Sequence, residues 1–408
     1  MPAAVAITDL GAITGLGGDV AALATGLREG RCAIARLTAF PYRGRCDLAA
    51  QVPDAEAGSH GDRLPPATER RLSHADRMAL AAATEACRDA GLDAPSRCTA
   101  AVYVGATTGG MRETEEAYRR FRGGQDARFR LSRLLGTPLS TAATVVSQAL
   151  GLFGPRSTLS TACSSSALAL AAAAEAVAGG RAPVALAIGT DQLCRVTYAG
   201  FDALQALDPS PCRPFDRERM GLSLGEGAAA LVVENVDHAR ARGARLRALL
   251  LGHGSSNDAH HVTAPHPDGA GARVALEAAL AAARVPPAAV DYVNAHGSGT
   301  RQNDAVEVGV LRTVFGARLG RVAVSSSKSQ VGHCLGAAGA IEALITVIAL
   351  EQGFLPPTVN LRHPEPTWDD LDLVATAGRR APIAVAVSSS YGFGGHNVTL
   401  VLARPDAL

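Results

Sequence analysis

The feature that most constrains this chain is a unit that occurs twice. In "STLSTACSSSALALAAAAEAV" a β-branched segment runs into a cluster of small hydroxyl residues and then into an alanine-rich stretch. "VAVSSSKSQVGHCLGAAGAIEALITVIAL" follows the same order in the second half. Each reads as strand, tight elbow and helix. Around them, short strand-like runs such as "AAVYVGATT", "PVALAIGTD" and "IAVAVSSS" alternate with alanine-rich helical runs such as "ADRMALAAATEACRDAG" and "GARVALEAALAAARV". That alternation predicts an α/β fold with mostly buried strands. Two similar halves joined near residues 235–250 account for the echo, with 1–245 and 246–408 as the units. The chain is 47% hydrophobic but only 4% aromatic, so its core must be built from Ala, Val and Leu. Alanine can face either way, and helical periodicity is correspondingly weak.

Charge and cysteine usage exclude several classes. Lys plus Arg number 39 and Asp plus Glu 38, which gives no reason to invoke nucleic acid or a membrane surface. The eight cysteines form no CxxC pair, against zinc-ribbon and thioredoxin readings, and no metal is expected. No stretch reaches the roughly 18 uninterrupted apolar residues of a membrane span, and the glutamates of "IEALITVIALEQGF" mark a buried helix instead. The opening "MPAAVAITDLGAITGLG" lacks a basic start and is broken by Asp9, so no secretory leader is expected. Reduced thiols in a cytoplasm are the expectation.

Three residues at strand-to-helix junctions carry the chemistry. Cys163 stands in "STACSSS" at the start of a helix. A helix N-terminus presents unpaired N–H groups and partial positive charge, which favour a thiolate nucleophile. His296 in "VNAHGSGT" and His333 in "SSSKSQVGHCLG" occupy glycine- and serine-rich turns at the carboxyl ends of strands, where α/β sheets bind ligands. Lys328, five residues before His333, is the sole lysine, every other basic residue among the 39 being arginine.

The segments "STACSSS", "CRPFDRERMGLSLGEGAAALVVE", "VDYVNAHGSGTRQND", "VSSSKSQVGHCLGAAGAIEAL" and "SSSYGFGGHNVTLVL" together resemble the elongating β-ketoacyl-acyl carrier protein synthases of the thiolase-like superfamily, over essentially the whole chain. The resemblance implies a thiolase-like α/β fold of two pseudo-symmetric halves, with two mixed sheets in αβαβα layers. It implies an acyltransferase that performs decarboxylative Claisen condensation on carrier-protein thioesters, with no cofactor of its own because phosphopantetheine arrives on the carrier. The implied partners are an acyl carrier protein and a second subunit, giving a homodimer or a heterodimer with a chain-length factor.

Carried over by motif, Cys163 is the nucleophile, and His296 with His333 stabilise the enolate formed when malonyl thioester loses carbon dioxide. The backbone N–H groups of Cys163 and Phe393 form the oxyanion hole, and the "YGFGG" segment with Phe393 and Gly394 serves as a gate. A buried Lys328 needs a counter-charge, and Glu307 is expected to supply it. Asp304 is expected to brace the same turn. Ser298 and Thr300 could bind the phosphopantetheine amides or simply form the turn. Thr107 and Thr108 could line the acyl pocket or form a simple strand-end turn. Carrier docking is assigned to Arg70, Arg71, Arg128, Arg130, Arg133 and Arg217. His253, His260, His261 and His266 crowd one segment, read as a loop near the tunnel mouth, and His396 departs from the threonine that relatives often carry. "AHGSGTRQND" and "LSLGEGAAALVVE" lean toward polyketide or aryl polyene synthases; housekeeping fatty-acid elongation is the alternative. A non-catalytic chain-length factor is disfavoured by the retained Cys163, His296, His333 and Lys328.

Overall fold

The computed structural model describes residues 4–53, 64–92, 94–124 and 131–407. Its frame is one mixed sheet. The strands are β1 (Val5–Thr14), β2 (Ala101–Gly105), β3 (Arg156–Leu159), β4 (Val184–Asp191), β5 (Gly227–Asn235), β6 (Ala248–Asn257), β7 (Tyr292–Asn294), β8 (Ala323–Ser325), β9 (Asp372–Leu373), β10 (Val385–Gly392) and β11 (His396–Ala403). They lie in the order β9-β8-β7-β10-β11-β6-β1-β5-β4-β2-β3.

That order is a reflection of itself about its centre. From β1 outward the ladder is antiparallel to β5, antiparallel to β4, then parallel to β2 and β3. From β6 outward it is antiparallel to β11, antiparallel to β10, then parallel to β7 and β8, with β9 added at the edge. The echo between "STACSSS" and "SSSKSQVGH" is thus a topological equivalence: β3 and β8 hold the same place in the two halves. The halves meet where Val5–Ile7 of β1 pairs with 248–250 of β6. The two expected sheets are therefore hydrogen-bonded edge to edge into a single ladder.

Helices α1 (His74–Ala90), α2 (Met111–Arg122), α3 (Thr141–Leu150), α4 (Ser165–Ala178), α5 (Ala270–Ala283), α6 (Arg301–Phe315) and α7 (Ala338–Gln352) complete the layers. α1 packs on β1, β5 and β4 with α3 against it, and α5 packs on β6 and β11 with α6 against it. Between the sheet halves lie α4 and α7, each touching strands of both.

This sandwich explains the weak periodicity. A helix with sheet on both sides has no solvent face, so it needs no polar stripe. All residues of α7 from Ala338 to Leu350 are buried. Small side chains also let the two inner helices close in: a Cβ at Gly339 would sit 2.6 Å from the Ala167 amide nitrogen. The segment Leu335–Gln352 is apolar and long enough by composition to cross a bilayer, yet 89% of it is buried inside the fold. It is the core helix that its glutamates suggested.

Candidate active site

The carboxyl ends of β3, β7, β8 and β10 converge on one cavity of about 360 Å³. Cys163, His296, His333 and Phe393 all line it, so residues up to 230 positions apart in sequence share one wall. Ser298, Thr300 and Gly394 line it as well, as do Thr263, Ala264 and Pro265.

The elbow bearing Cys163 shows why its neighbours are small and hydroxylated. Ala162 adopts φ 51°, a left-handed conformation that costs a non-glycine residue energy. Local bonds hold it. Ser165 Oγ donates to the Ala162 carbonyl at 2.6 Å and accepts from the Thr161 amide at 2.9 Å, while Ser164 Oγ donates to the Thr161 carbonyl at 2.8 Å. Ser166 Oγ accepts from the Ala340 amide at 2.8 Å and ties α4 to α7. Cys163 therefore sits just before α4, as expected.

Its ionisation differs from the expectation. The thiol is buried, 7% exposed, and burial pushes its pKa up to about 11. The Lys328 charge and the Phe393 N–H directed at the sulfur pull the other way without overcoming the desolvation. The resting group is a thiol, so its proton must leave as attack proceeds.

Both histidines are neutral. Burial, with the Lys328 charge, drives each imidazole pKa well below 6.5. Their tautomers are set by neighbours that can only donate. His296 Nδ1 accepts from the Tyr391 amide at 3.2 Å, and His333 Nδ1 accepts from the Leu335 amide at 3.2 Å. The proton of each ring then resides on Nε2. The rings lie 5.4 Å apart, edge to face.

Lys328 is 1% exposed. Its Nζ donates to the His296 carbonyl at 2.6 Å, approaches His296 Nδ1 at 3.4 Å, and pairs with Glu342. The expected Lys328–Glu307 pair is therefore corrected: the counter-charge comes from α7. Glu307 instead accepts the amides of His296 at 2.8 Å and Gly297 at 2.7 Å, which fixes the loop that carries His296. Burial pushes its pKa up to about 7. Asp304 braces the following turn, accepting from the Phe215 amide at 2.9 Å and the Gly299 amide at 3.1 Å. The sequence signal for Glu342 is that it is the one carboxylate within the fully buried stretch Ala338–Leu350, where a charge needs a partner.

Other expectations also shift. Thr107 and Thr108 do not line the cavity around Cys163; their hydroxyls and amides are spent on the buried Asp191 carboxylate at 2.5–3.0 Å. Ser298 and Thr300 face the cavity but also form the turn, their hydroxyls 3.0 Å apart, with Thr300 capping α6. The 260–266 loop does border the cavity mouth, whereas His253 lies away from it on β6, 3.4 Å from Glu175. Phe393 stacks on Phe201 at 5.4 Å, and Gly394 and Gly395 adopt φ 82° and 78°, backbone that other residues rarely adopt. His396 lies beside them, its Nδ1 3.5 Å from Asn257 Nδ2. Arg70, Arg71 and Arg217 are exposed. Arg128, Arg130 and the side chain of Arg133 lie outside the described residues.

Comparison with known proteins places the chain in a family. The family model "Beta-ketoacyl synthase, N-terminal domain" matches residues 3–239 and "Beta-ketoacyl synthase, C-terminal domain" matches 247–362. Nodulation protein E of Rhizobium meliloti (strain 1021) is 38% identical over 98% of this chain and 99% of its own length. The 3-oxoacyl-[acyl-carrier-protein] synthase 2 of the same strain is 36% identical over 98% of each chain. Among solved structures, the ishigamide ketosynthase/chain length factor superposes with TM-score 0.91 at 32% identity, covering 99% of this chain and 100% of that one. A ketosynthase in complex with a type II PKS acyl-carrier protein superposes with TM-score 0.86 at 28% identity, covering all of both chains. With both family models matched along a single thiolase-like fold, the chain belongs to the β-ketoacyl synthases, acyltransferases of the condensing type.

Proposed function

We propose that this chain condenses an acyl group held on Cys163 with a malonyl thioester delivered by an acyl carrier protein. The observation that carries the reading is the pair of neutral imidazoles with their protons on Nε2, sharing a cavity with one thiol and the Phe393 N–H.

In the first half-reaction Cys163 sulfur attacks the acyl thioester carbonyl. The oxyanion is met by the Cys163 and Phe393 amides; the carrier thiol departs and takes up the proton lost by Cys163. In the second, the malonyl carboxylate leaves as carbon dioxide and its bonding electrons become an enolate. The Nε2–H groups of His296 and His333 donate to the enolate oxygen. A neutral donor suits this step, because it stabilises the oxyanion without protonating the carbon that must attack. That carbon then adds to the acyl–Cys163 carbonyl, and the thiolate is expelled and reprotonated. Lys328 and Glu307 act by placing His296, and burial, reinforced by the Lys328 charge, keeps both rings uncharged.

The phosphopantetheine arm enters past Ser298, Thr300 and Gly394, which line the cavity. Arg70, Arg71, Arg128, Arg130, Arg133 and Arg217 are the proposed contacts for the acidic carrier. A second subunit, either a copy of this chain or a chain-length factor, is proposed to cover the sheet edge at β3, beside which Phe153 is 77% exposed. Support for the chain-length factor is the likeness to the ishigamide pair. For the pathway, "AHGSGTRQND" and the likeness to a type II PKS ketosynthase favour a polyketide or polyene chain. The 36% identity to a 3-oxoacyl-[acyl-carrier-protein] synthase 2 favours fatty-acid elongation as the second reading.

Mass spectrometry tests the nucleophile. Incubation with acyl-carrier thioester should add the acyl mass to the Cys163 peptide and to no other, and Cys163→Ala should carry none. Acylation of a different peptide refutes the assignment. Competing saturated against polyenoyl carrier thioesters separates the two pathways.

A further inference from the structure

We infer that Asp191 is a positioning residue for His333, acting through the backbone of Leu335 and Gly336; the inference rests on the role proposed above for His333.

Asp191 ends β4 and is fully buried. No cation within ion-pair distance neutralises it among the described residues. Its charge is met by dipoles instead. The Thr107 amide reaches both carboxylate oxygens at 3.0 Å, the Thr108 amide reaches Oδ1 at 2.7 Å, and the two threonine hydroxyls donate at 2.5 and 2.8 Å. The remaining donor is the Gly336 amide, 2.7 Å from Oδ2. Three of the five groups are N–H donors, which cannot accept, so the site is built for a carboxylate.

Gly336 lies on the His333 loop. Between them, Leu335 is held at φ 52°, left-handed backbone without the freedom of glycine. Such a residue persists only when both neighbours pin it. On one side the Leu335 amide donates to His333 Nδ1 at 3.2 Å, the bond that puts the ring proton on Nε2. On the other, Asp191 grips the Gly336 amide. Asp191 thus stabilises the strained residue whose amide sets the tautomer. The fit is close: a Cβ on Gly336 would stand 2.6 Å from Asp191 Oδ2.

The chain of contacts predicts a selective defect. Asp191→Asn replaces an acceptor with an NH2 group that faces N–H donors, releasing either Gly336 or the threonines. In the full-length enzyme we expect carbon dioxide release from malonyl-carrier to fall roughly 10- to 100-fold, the range for a displaced supporting group. Single-turnover acyl transfer to Cys163 should stay within about threefold of the parent. Amide deuterium exchange should rise in the peptide spanning 333–340. Gly336→Ala attacks the same bond from the other partner and should give the same split, and it decides the matter if Asp191→Asn does not fold. The inference is overturned if a folded variant of either kind decarboxylates at the parent rate, or if both half-reactions fall equally. If His333→Ala itself leaves decarboxylation unchanged, the failure lies in the role of His333 and not in that of Asp191.

Discussion

At the scale of single residues, burial is the dominant influence on the site's chemistry. It raises the Cys163 thiol to about 11 and drives both imidazoles well below 6.5. Alkylation of Cys163 by iodoacetamide should therefore be slow at pH 7 and climb through pH 9 and 10. A plateau reached by pH 8 contradicts a buried thiol. The histidines give a second prediction. Their folded pKa lies below the unfolded value, so the unfolded chain binds protons more readily as pH falls through 6.5. Their contribution to stability is complete above that pH and is lost below it. The thermal midpoint of the parent should drop between pH 6.5 and 5 more steeply than that of the His296→Gln/His333→Gln variant, as read by calorimetry. That Cys163, His296 and His333 share one cavity was legible, because thiol and imidazole are scarce in small-residue turns. The ionisation state of Cys163 was not. A helix N-terminus can be read from sequence, but the desolvation that outweighs it depends on what is packed above.

Among elements, the inner helices decide the site. The elbow that opens α4 holds Cys163, and α7 supplies Glu342 to Lys328. Both members of that ion pair are 2% exposed or less. Removing one partner strands a buried charge, so Lys328→Met or Glu342→Leu alone should cost about 3–5 kcal/mol by denaturant unfolding. The double variant should recover most of that loss while remaining inactive in condensation. A double variant as unstable as the worse single one contradicts the pairing. The echo of strand, elbow and helix was visible because it is local and repeated. The partner of Lys328 was not, because Glu342, although only 14 residues on, reaches the lysine only when α7 is sandwiched between the sheet halves. The bonds of Thr107 and Thr108 to Asp191 were hidden for the same reason. Their hydroxyls point at Asp191, far along the chain, and no spacing rule announces that bond.

For the whole molecule, an eleven-stranded ladder brings four strand ends from two halves to one cavity. The α/β class and the two equivalent halves followed from the alternation and the echo, but the antiparallel inner strands and the edge-to-edge joining of β1 to β6 did not, since three residue pairs leave no periodic trace. At this scale the proposed carrier-protein substrate is what a test must vary. Reversing Arg70 and Arg71 to glutamate should raise the KM for carrier thioester about tenfold at low salt, with little change for a small-molecule thioester, and the difference should shrink as salt screens the patch. Equal effects on both substrates contradict a docking role. The central claim is a division of labour: one sulfur carries the acyl group and two neutral imidazoles open the malonyl unit. Release of carbon dioxide from malonyl-carrier, followed in parallel for Cys163→Ala and His333→Ala, tests it directly. The account predicts that the cysteine variant still releases carbon dioxide while holding no acyl group, and that the histidine variant accepts the acyl group on Cys163 but releases almost none. Decarboxylation that survives in His333→Ala at the parent rate contradicts it.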